Sequence, residues 1–422
     1  MTFDLCNSVG YNAKQPATIN EAFCWNDSAW LKYRTRSQSR PQDCCLNIYE
    51  FEPVGFFSDG DFGDIFSASR DFVRYIKKTG YTYAELALVD CEMCFSLLDL
   101  QRFVNALHEA GIGVIVKIDA NLVASGRYNN VGDFLKIFEQ YHFDGLHISS
   151  QVKHLPEPSF FYRVVSEIKG SYDGVFIISD ADNLGADFHC DLVWTEELYK
   201  LLSGEDNEDF HVAIGRLLDS AGDAKKIIPL SYSGSAEKCG MLIEIIRGDY
   251  EDKFRLARLA SLLEICLPAK KLTFMGTEYA QYSNATAGKT LEWFMLDFPT
   301  HRDYREYLSA LNDFYLSSPV LNAGEYRRLN LCRCDSGAKV VAFERVLDEN
   351  NMLVIVLSFS ERDTRLAVDI SSGGEPKVLF DTRGEDFEIY RPEIYGNALR
   401  LFMPGRSGIV LTFDNKIIKY DL

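Results

Sequence analysis

Two pairs of cysteines stand close enough in the chain to share a ligand or a redox reaction, Cys91-Glu-Met-Cys94 and Cys332-Arg-Cys334. A tetrahedral zinc centre needs four donors, and each pair supplies two. The eleven cysteines are odd in number and scattered, and no basic-then-apolar leader opens the chain at MTFDLCNSVGYNAKQ. They read as reduced thiols in a cytoplasmic protein, with no metal and no cofactor expected. Lys32, Arg34, Arg36 and Arg40 form a short basic run of the kind found on solvated surfaces. The balance of 44 Lys+Arg against 62 Asp+Glu gives −18, which opposes phosphate backbones and anionic lipid. No apolar run reaches the ~18 residues needed to span a bilayer. Neither nucleic acid nor a membrane is an expected partner.

The elements that must position any chemistry follow a repeating beat. Leu46–Phe51, Ala84–Val89, Val114–Ile118, Gly145–Ser149, Val175–Ser179, Asp191–Trp194, Ile227–Leu230 and Leu272–Gly276 read as strands. Helical periodicity fills the intervals, as in Asp64–Thr79 with Gly80 as its stop, the run of Leu100, Phe103, Val104 and Leu107, and Asp133–Tyr141. Phe161–Ile168, Phe254–Cys266 and Tyr304–Leu316 continue it. Continuous apolar strands between amphipathic helices predict an α/β fold, a (β/α)8 TIM barrel over 45–323. Residues 1–44 form an extension expected to pack on it. From 324 to 422 short strands follow one another without helices: Val340–Glu344, Met352–Ser358, Arg365–Ile370, Lys377–Phe380, Ala398–Phe402, Gly408–Phe413 and Lys416–Tyr420. They predict a C-terminal antiparallel β-sandwich.

The strand ends carry a resemblance. Pro268-Ala-Lys-Lys-Leu-Thr-Phe-Met-Gly276-Thr-Glu278-Tyr-Ala-Gln281 resembles "PGKKLLFMGNEFAQ", the eighth-strand motif of 1,4-α-glucan (glycogen) branching enzymes, members of glycoside hydrolase family 13 in the α-amylase superfamily. Leu291-Glu292-Trp293 is similar to the following "LDW", and Gly248-Asp249-Tyr250 with Lys253-Phe254 to "GDxWQKFANLR". Ile48-Tyr49-Glu50 resembles the first strand "SIYEVHLGSW", and Gly80-Tyr-Thr-Tyr-Ala-Glu85-Leu86 the second, "GYTHVELMP". The likeness runs in order from about Cys24 to Leu321, and more weakly beyond.

What the resemblance implies at the reacting centre is loss. The family's retaining chemistry needs a carboxylate nucleophile and a carboxylic acid donor. The motif "DGLRVDAV" reads Asp144-Gly-Leu-His147-Ile-Ser149-Ser-Gln151, which puts Ser149 at the nucleophile position and His147 at the arginine. "AEES" reads Ser179-Asp180-Ala181-Asp182, so Asp180 stands at the acid position, one methylene short. "LSHDE" reads Leu230-Ser231-Tyr232-Ser233-Gly234, which replaces the third carboxylate with Ser233. "DWVPxH" reads Lys117-Ile-Asp119-Ala-Asn121-Leu122. A slip of two residues would bring in Asp119 or Asp182, but no slip restores carboxylates at both Ser149 and Ser233.

Family loops that wall the cleft are also short, between Val89 and Leu100 and between Val123 and Asp144, so a shallow cleft is expected. Lys117, Asp119, His147, Tyr232 and Glu278 remain as substrate-binding candidates, each with a structural alternative: His147 a hydrogen-bonded histidine, Glu278 an anchor. Lys117 is expected to bridge to Asp180 or Glu278 and plug the pocket. The implied protein is an inactive homologue that binds α-glucan or a partner protein of glycogen metabolism. The alternative is an α-glucan-modifying enzyme rebuilt around Asp180. The family's N-terminal binding module is expected to be absent, because the chain opens near the barrel entry, which favours a protein partner. Oligomeric state is left open.

Overall fold

A computed structural model describes residues 23–37, 41–57, 65–87, 95–121, 130–150, 158–181, 184–204, 209–283, 290–324, 326, 328–371, 373–384 and 387–414. Eight parallel strands close into a barrel: β1 Asn47–Glu50, β2 Tyr83–Ala87, β3 Gly113–Asp119, β4 Gly145–Ser149, β5 Phe176–Ser179, β6 Phe188–Cys190, β7 Lys226–Pro229 and β8 Lys270–Phe274. Closure comes from β1 on β8, where Ile48 lies opposite Leu272. Helices Ile65–Thr79, Leu97–Glu109, Val131–Tyr141, Pro158–Ser171, Tyr250–Cys266 and Pro299–Ser317 confirm the expected periodicities within a few residues. Gly80 does end the first of these. Its φ is +78°, and a Cβ there would fall 2.7 Å from Asn312 Cβ.

The sixth strand differs from its expected position. It is Phe188–Cys190, and Asp191–Trp194 instead opens the helix Leu192–Ser203, with the Asp191 side chain accepting from the Trp194 amide as N-cap. An Asp before an apolar triplet suits a strand or a capped helix start, and the cap decides. The helices Leu192–Ser203 and Phe210–Ser220 had no counterpart in the periodic reading.

After the barrel, two antiparallel sheets face each other. One has the order β13-β16-β11-β10-β9, from Glu375–Asp381, Ser407–Asp414, Met352–Ser358, Val340–Val346 and Arg328–Asp335. The other has the order β12-β15-β14, from Thr364–Asp369, Ala398–Met403 and Glu393–Tyr395. Val354, Val356, Leu366, Val368, Leu399 and Leu401 fill the space between them. The opposite face of the larger sheet, with Phe343, Ile355 and Leu357, packs on barrel helices through Leu259, Leu262 and Leu311. Strands β9 and β14 were not expected from the sequence, and Lys416–Tyr420 lies outside the described residues. Cys332 and Cys334 sit along β9 as free thiols.

Strand alternation sets the barrel interior in layers. Ile48, Tyr83, Ile115 and Ile178 form an apolar plug with Phe176, Ile227 and Leu272. Two residues further along the same strands stand Glu50, Glu85, Lys117 and Asp180, joined by His147 two beyond Gly145. Each of these follows an inward residue by one full pleat, so a charged layer caps an apolar one.

Candidate functional site

The charged layer lies at the C-terminal ends of the strands, where barrel enzymes place their chemistry. Lys117 Nζ donates to Glu50 Oε1 at 2.6 Å and lies 3.9 Å from Glu85 Oε1. Ser233 donates twice to Glu50, from its hydroxyl to Oε1 at 2.6 Å and from its amide to Oε2 at 3.1 Å. The bridge from Lys117 therefore runs to Glu50, not to Asp180 or Glu278. Asp180 is held by His147, and Glu278 lies outside the charged layer between β1 and the helix Ile65–Thr79.

His147 is the centre of a second chain. Its Nδ1 is 3.0 Å from Glu85 Oε2 and its Nε2 2.7 Å from Asp180 Oδ1. The Ser150 amide donates to Asp180 Oδ2 at 3.2 Å. Burial opposes a charge on His147, yet the carboxylates of Glu85 and Asp180 lift its pKa well above the ordinary imidazole value. Burial likewise opposes the Asp180 anion, and the His147 ring beside it overcomes this and lowers its pKa. Lys117 is held charged in the same way, by Glu50 and then Glu85 against desolvation. A carboxyl whose proton is drawn off by a neighbouring cation is poorly placed to donate one to a leaving oxygen.

The other candidates separate. Ser149 stands at the rim, opposite Asp119 in the β3–β4 register. Asp119 is half-buried and turns back on its own loop, accepting from the Asn121 amide at 2.8 Å and from its side-chain amide at 3.0 Å. Tyr232 is buried against the apolar plug, and its backbone N–H donates to Ser235 Oγ at 3.0 Å. Glu278 is buried, accepting from the Tyr49 hydroxyl at 2.8 Å and from the Tyr75 hydroxyl. Burial raises its pKa, and the tyrosine hydroxyls only partly offset that. Asp182, Cys91 and Cys94 lie outside the described residues, as do the loop stretches 88–94 and 122–129.

Glu50 and Glu85 were missed as site residues in the sequence. Both sit inside strand motifs that look structural, and only the alternation (two residues beyond Ile48 and Tyr83) could have placed them inward. Cys190 was missed as well, because the sixth strand was placed after it.

Comparison with known proteins adds relatives of one kind. No family model matches the chain. The chain is 21% identical to the 1,4-alpha-glucan branching enzyme GlgB of Cellvibrio japonicus over 91% of its own length and 65% of the relative's. The branching enzyme GlgB of Chlamydia caviae is 28% identical, over 73% of this chain and 56% of that one. The chain thus spans between about half and two thirds of the length of these relatives. Among solved structures, a putative alpha amylase from Salmonella typhimurium shares the fold with a TM-score of 0.66 at 13% identity, covering 93% of this chain and 84% of that one. An alpha-amylase from Geobacillus thermoleovorans, complexed with acarbose, superposes with a TM-score of 0.66 at 13% identity, over 89% and 99% of the two chains. No helix among the described residues is long and apolar enough to cross a membrane. The chain is thus similar in sequence to 1,4-alpha-glucan branching enzymes and shares its barrel fold with solved alpha-amylase structures.

Proposed function

We propose that this protein has lost glycosidic-bond chemistry and acts in α-glucan metabolism by binding. The observation that carries the reading is Lys117. At the barrel mouth its ammonium is bonded to Glu50 and 3.4 Å from Ser233 Oγ, the position where the family resemblance places a third carboxylate. A cation with its own buried counter-ion occupies the layer in which a retaining mechanism needs two free carboxyl groups. Ser149, at the nucleophile position, carries a hydroxyl that cannot trap an oxocarbenium-like centre as a carboxylate does.

The ligand of this reading is α-glucan or a protein partner of glycogen metabolism, met in the cytoplasm. Support for α-glucan comes from the kind of relatives found and from the acarbose complex of the Geobacillus neighbour. The division of the chain into an extension over 1–44, a barrel over 45–323 and a sandwich over 324–422 belongs to the same proposal.

One observation favours the alternative of a rebuilt enzyme: Asp180 keeps a carboxylate at the end of β5 with some exposure. The test is an iodine-stain branching assay on amylose with reducing-end detection, run beside calorimetry with glycogen and maltoheptaose. The expected result is saturable binding with no change in stain. Branching that disappears in Asp180→Ala would overturn the proposal, and so would the absence of binding to glycogen and of any retained protein from glycogen-metabolising extract.

A further inference from the structure

His147, Asp180 and Cys190 come from the ends of three successive strands, β4, β5 and β6. One imidazole nitrogen, one carboxylate oxygen and the Cys190 Sγ all lie within 4.8 Å of one another. We propose that these three side chains form a binding site for a divalent transition metal, zinc being the best match. It is independent of whether the protein acts on glucan.

The donor set argues for the class of metal. An imidazole, a thiolate and a carboxylate are borderline-soft ligands suited to zinc, whereas calcium and magnesium take all-oxygen shells. Three protein donors leave a fourth position, the pattern of zinc sites that admit water or a small ligand.

The surroundings orient the donors. Metal-bound histidines commonly pass their second ring N–H to a carboxylate, which fixes the tautomer. Glu85 Oε2, 3.0 Å from His147 Nδ1, stands in that place and leaves Nε2 to face Asp180. The Ser150 amide holds the far oxygen of Asp180 at 3.2 Å, keeping the near one turned toward the ring. The 2.7 Å separation of Nε2 and Oδ1 is that of a hydrogen bond. Ligand atoms of a tetrahedral centre, with bonds of ~2.0–2.3 Å, stand a little over 3 Å apart, so metal entry requires the carboxylate to turn from the ring and the three donors, now within 4.8 Å of one another, to close on the ion.

The ion pair between His147 and Asp180 uses no sulfur, so Cys190, buried at the edge of the apolar plug, adds a third donor within reach of both. Cys190 and His147 are each 1% exposed, so access runs past Asp180, whose side chain is 8% exposed. Proton balance also works. Metal entry releases the proton shared by His147 and Asp180 and the thiol proton of Cys190, two positive charges leaving as two arrive.

The experiment uses the full chain, stripped with a chelator and titrated with Co2+ and Zn2+. One equivalent should bind, and Co2+ should produce a thiolate-to-metal charge-transfer band that Zn2+ displaces. Cys190→Ser should abolish the band, and Glu85→Gln should weaken binding roughly 10–100-fold. Circular dichroism establishes that the variants are folded. Should Cys190→Ser fail to fold, X-ray absorption on the unaltered protein decides the matter, one sulfur with nitrogen and oxygen neighbours being expected. A first shell without sulfur, or with several, overturns the proposal. So does stoichiometry below one at micromolar metal, or uptake unaltered in His147→Gln and Cys190→Ser.

Discussion

Two histidine–carboxylate networks sit at opposite ends of β4, three residues apart in sequence. The lower one gathers on Asp144, just before the strand. It accepts from the Trp30 indole at 2.9 Å, the Arg34 guanidinium at 3.1 Å and the Val114 amide at 2.7 Å, with His108 Nε2 at 3.0 Å. Asp27 closes the set, 3.2 Å from His108 Nδ1 and 2.7 Å from His142 Nδ1. The upper one gathers on His147, with Lys117 and Glu50 beside it. Every oxygen of Asp144 is occupied, while Glu85 Oε1, buried in the upper network, accepts no hydrogen bond among the described residues. The lower network ties the helix Ser28–Ser37 to the floor of the barrel. The upper one stands at the C-terminal ends of the strands, with one carboxylate oxygen left over. That contrast matches the general division of barrels into a stabilising end and a reactive end.

The comparison can be broken most decisively from below. Asp144→Ala leaves Arg34 without its carboxylate and His108 with Asp27 alone, and should cost ~3–5 kcal/mol, read as a fall in urea midpoint at unchanged m-value. From above, Lys117→Met leaves Glu50 with its two Ser233 donors, so the loss should be smaller, on the order of 2 kcal/mol. Adding Glu50→Gln to Lys117→Met should recover most of it, because no buried charge is then left alone. Equal losses at the two ends would erase the distinction.

Both networks pair a raised histidine with a lowered aspartate, and the lower one can be tested by pH through His108. Burial opposes charge on His108, but Asp144 and Asp27 raise its pKa. Asp144 and Asp27 are lowered by their cationic partners against the same desolvation. A raised histidine stabilises fully below its unfolded value of ~6.5, and that contribution fades as pH rises through the folded value. A lowered aspartate stabilises fully above ~3.9 and fades as pH falls. The network should therefore be strongest between about pH 4 and 6.5. Urea midpoints from pH 5 to 9 should decline, and His108→Gln should flatten that decline; an unchanged slope would remove His108 from the account.

Most of the barrel was legible in the sequence, because apolar runs and helical periods are local signals, whereas the helix Ser28–Ser37 offered no such period and its Arg34, read as solvated surface, is buried against Asp144. Seven of the eight strand positions follow from those signals, and the sixth failed where Asp191 could be read as strand or as cap. The upper site was only half legible. Ser149, Asp180 and Ser233 stand in recognisable motifs, but the partners of Lys117 depend on which strand residues face inward in one layer. Glu50 meets Lys117, Glu85 meets His147, and Cys190 lies beside His147 and Asp180, each across strands whose separation in sequence hides the contact.

The smallest effect is expected at Glu278, the carboxyl in the best-preserved strand-end motif. It touches neither network. Its Oε1 accepts from Tyr49 at 2.8 Å and from Tyr75, and its Oε2 has no hydrogen-bond partner among the described residues. Burial raises its pKa, so keeping it ionised at neutral pH works against folding. Glu278→Gln keeps a carbonyl oxygen for both hydroxyls, removes that charge, and adds an amide that must find an acceptor. These contributions oppose each other, so the net change should stay within ~1 kcal/mol at pH 7. A carboxyl raised in the fold loses stability as pH climbs from its unfolded value of ~4.3 toward the folded one, and the variant should lack that slope. A loss comparable to that of Asp144→Ala would mean that this motif survives as part of the barrel's main support, and the division between its two ends would have to be redrawn around β1 and β8.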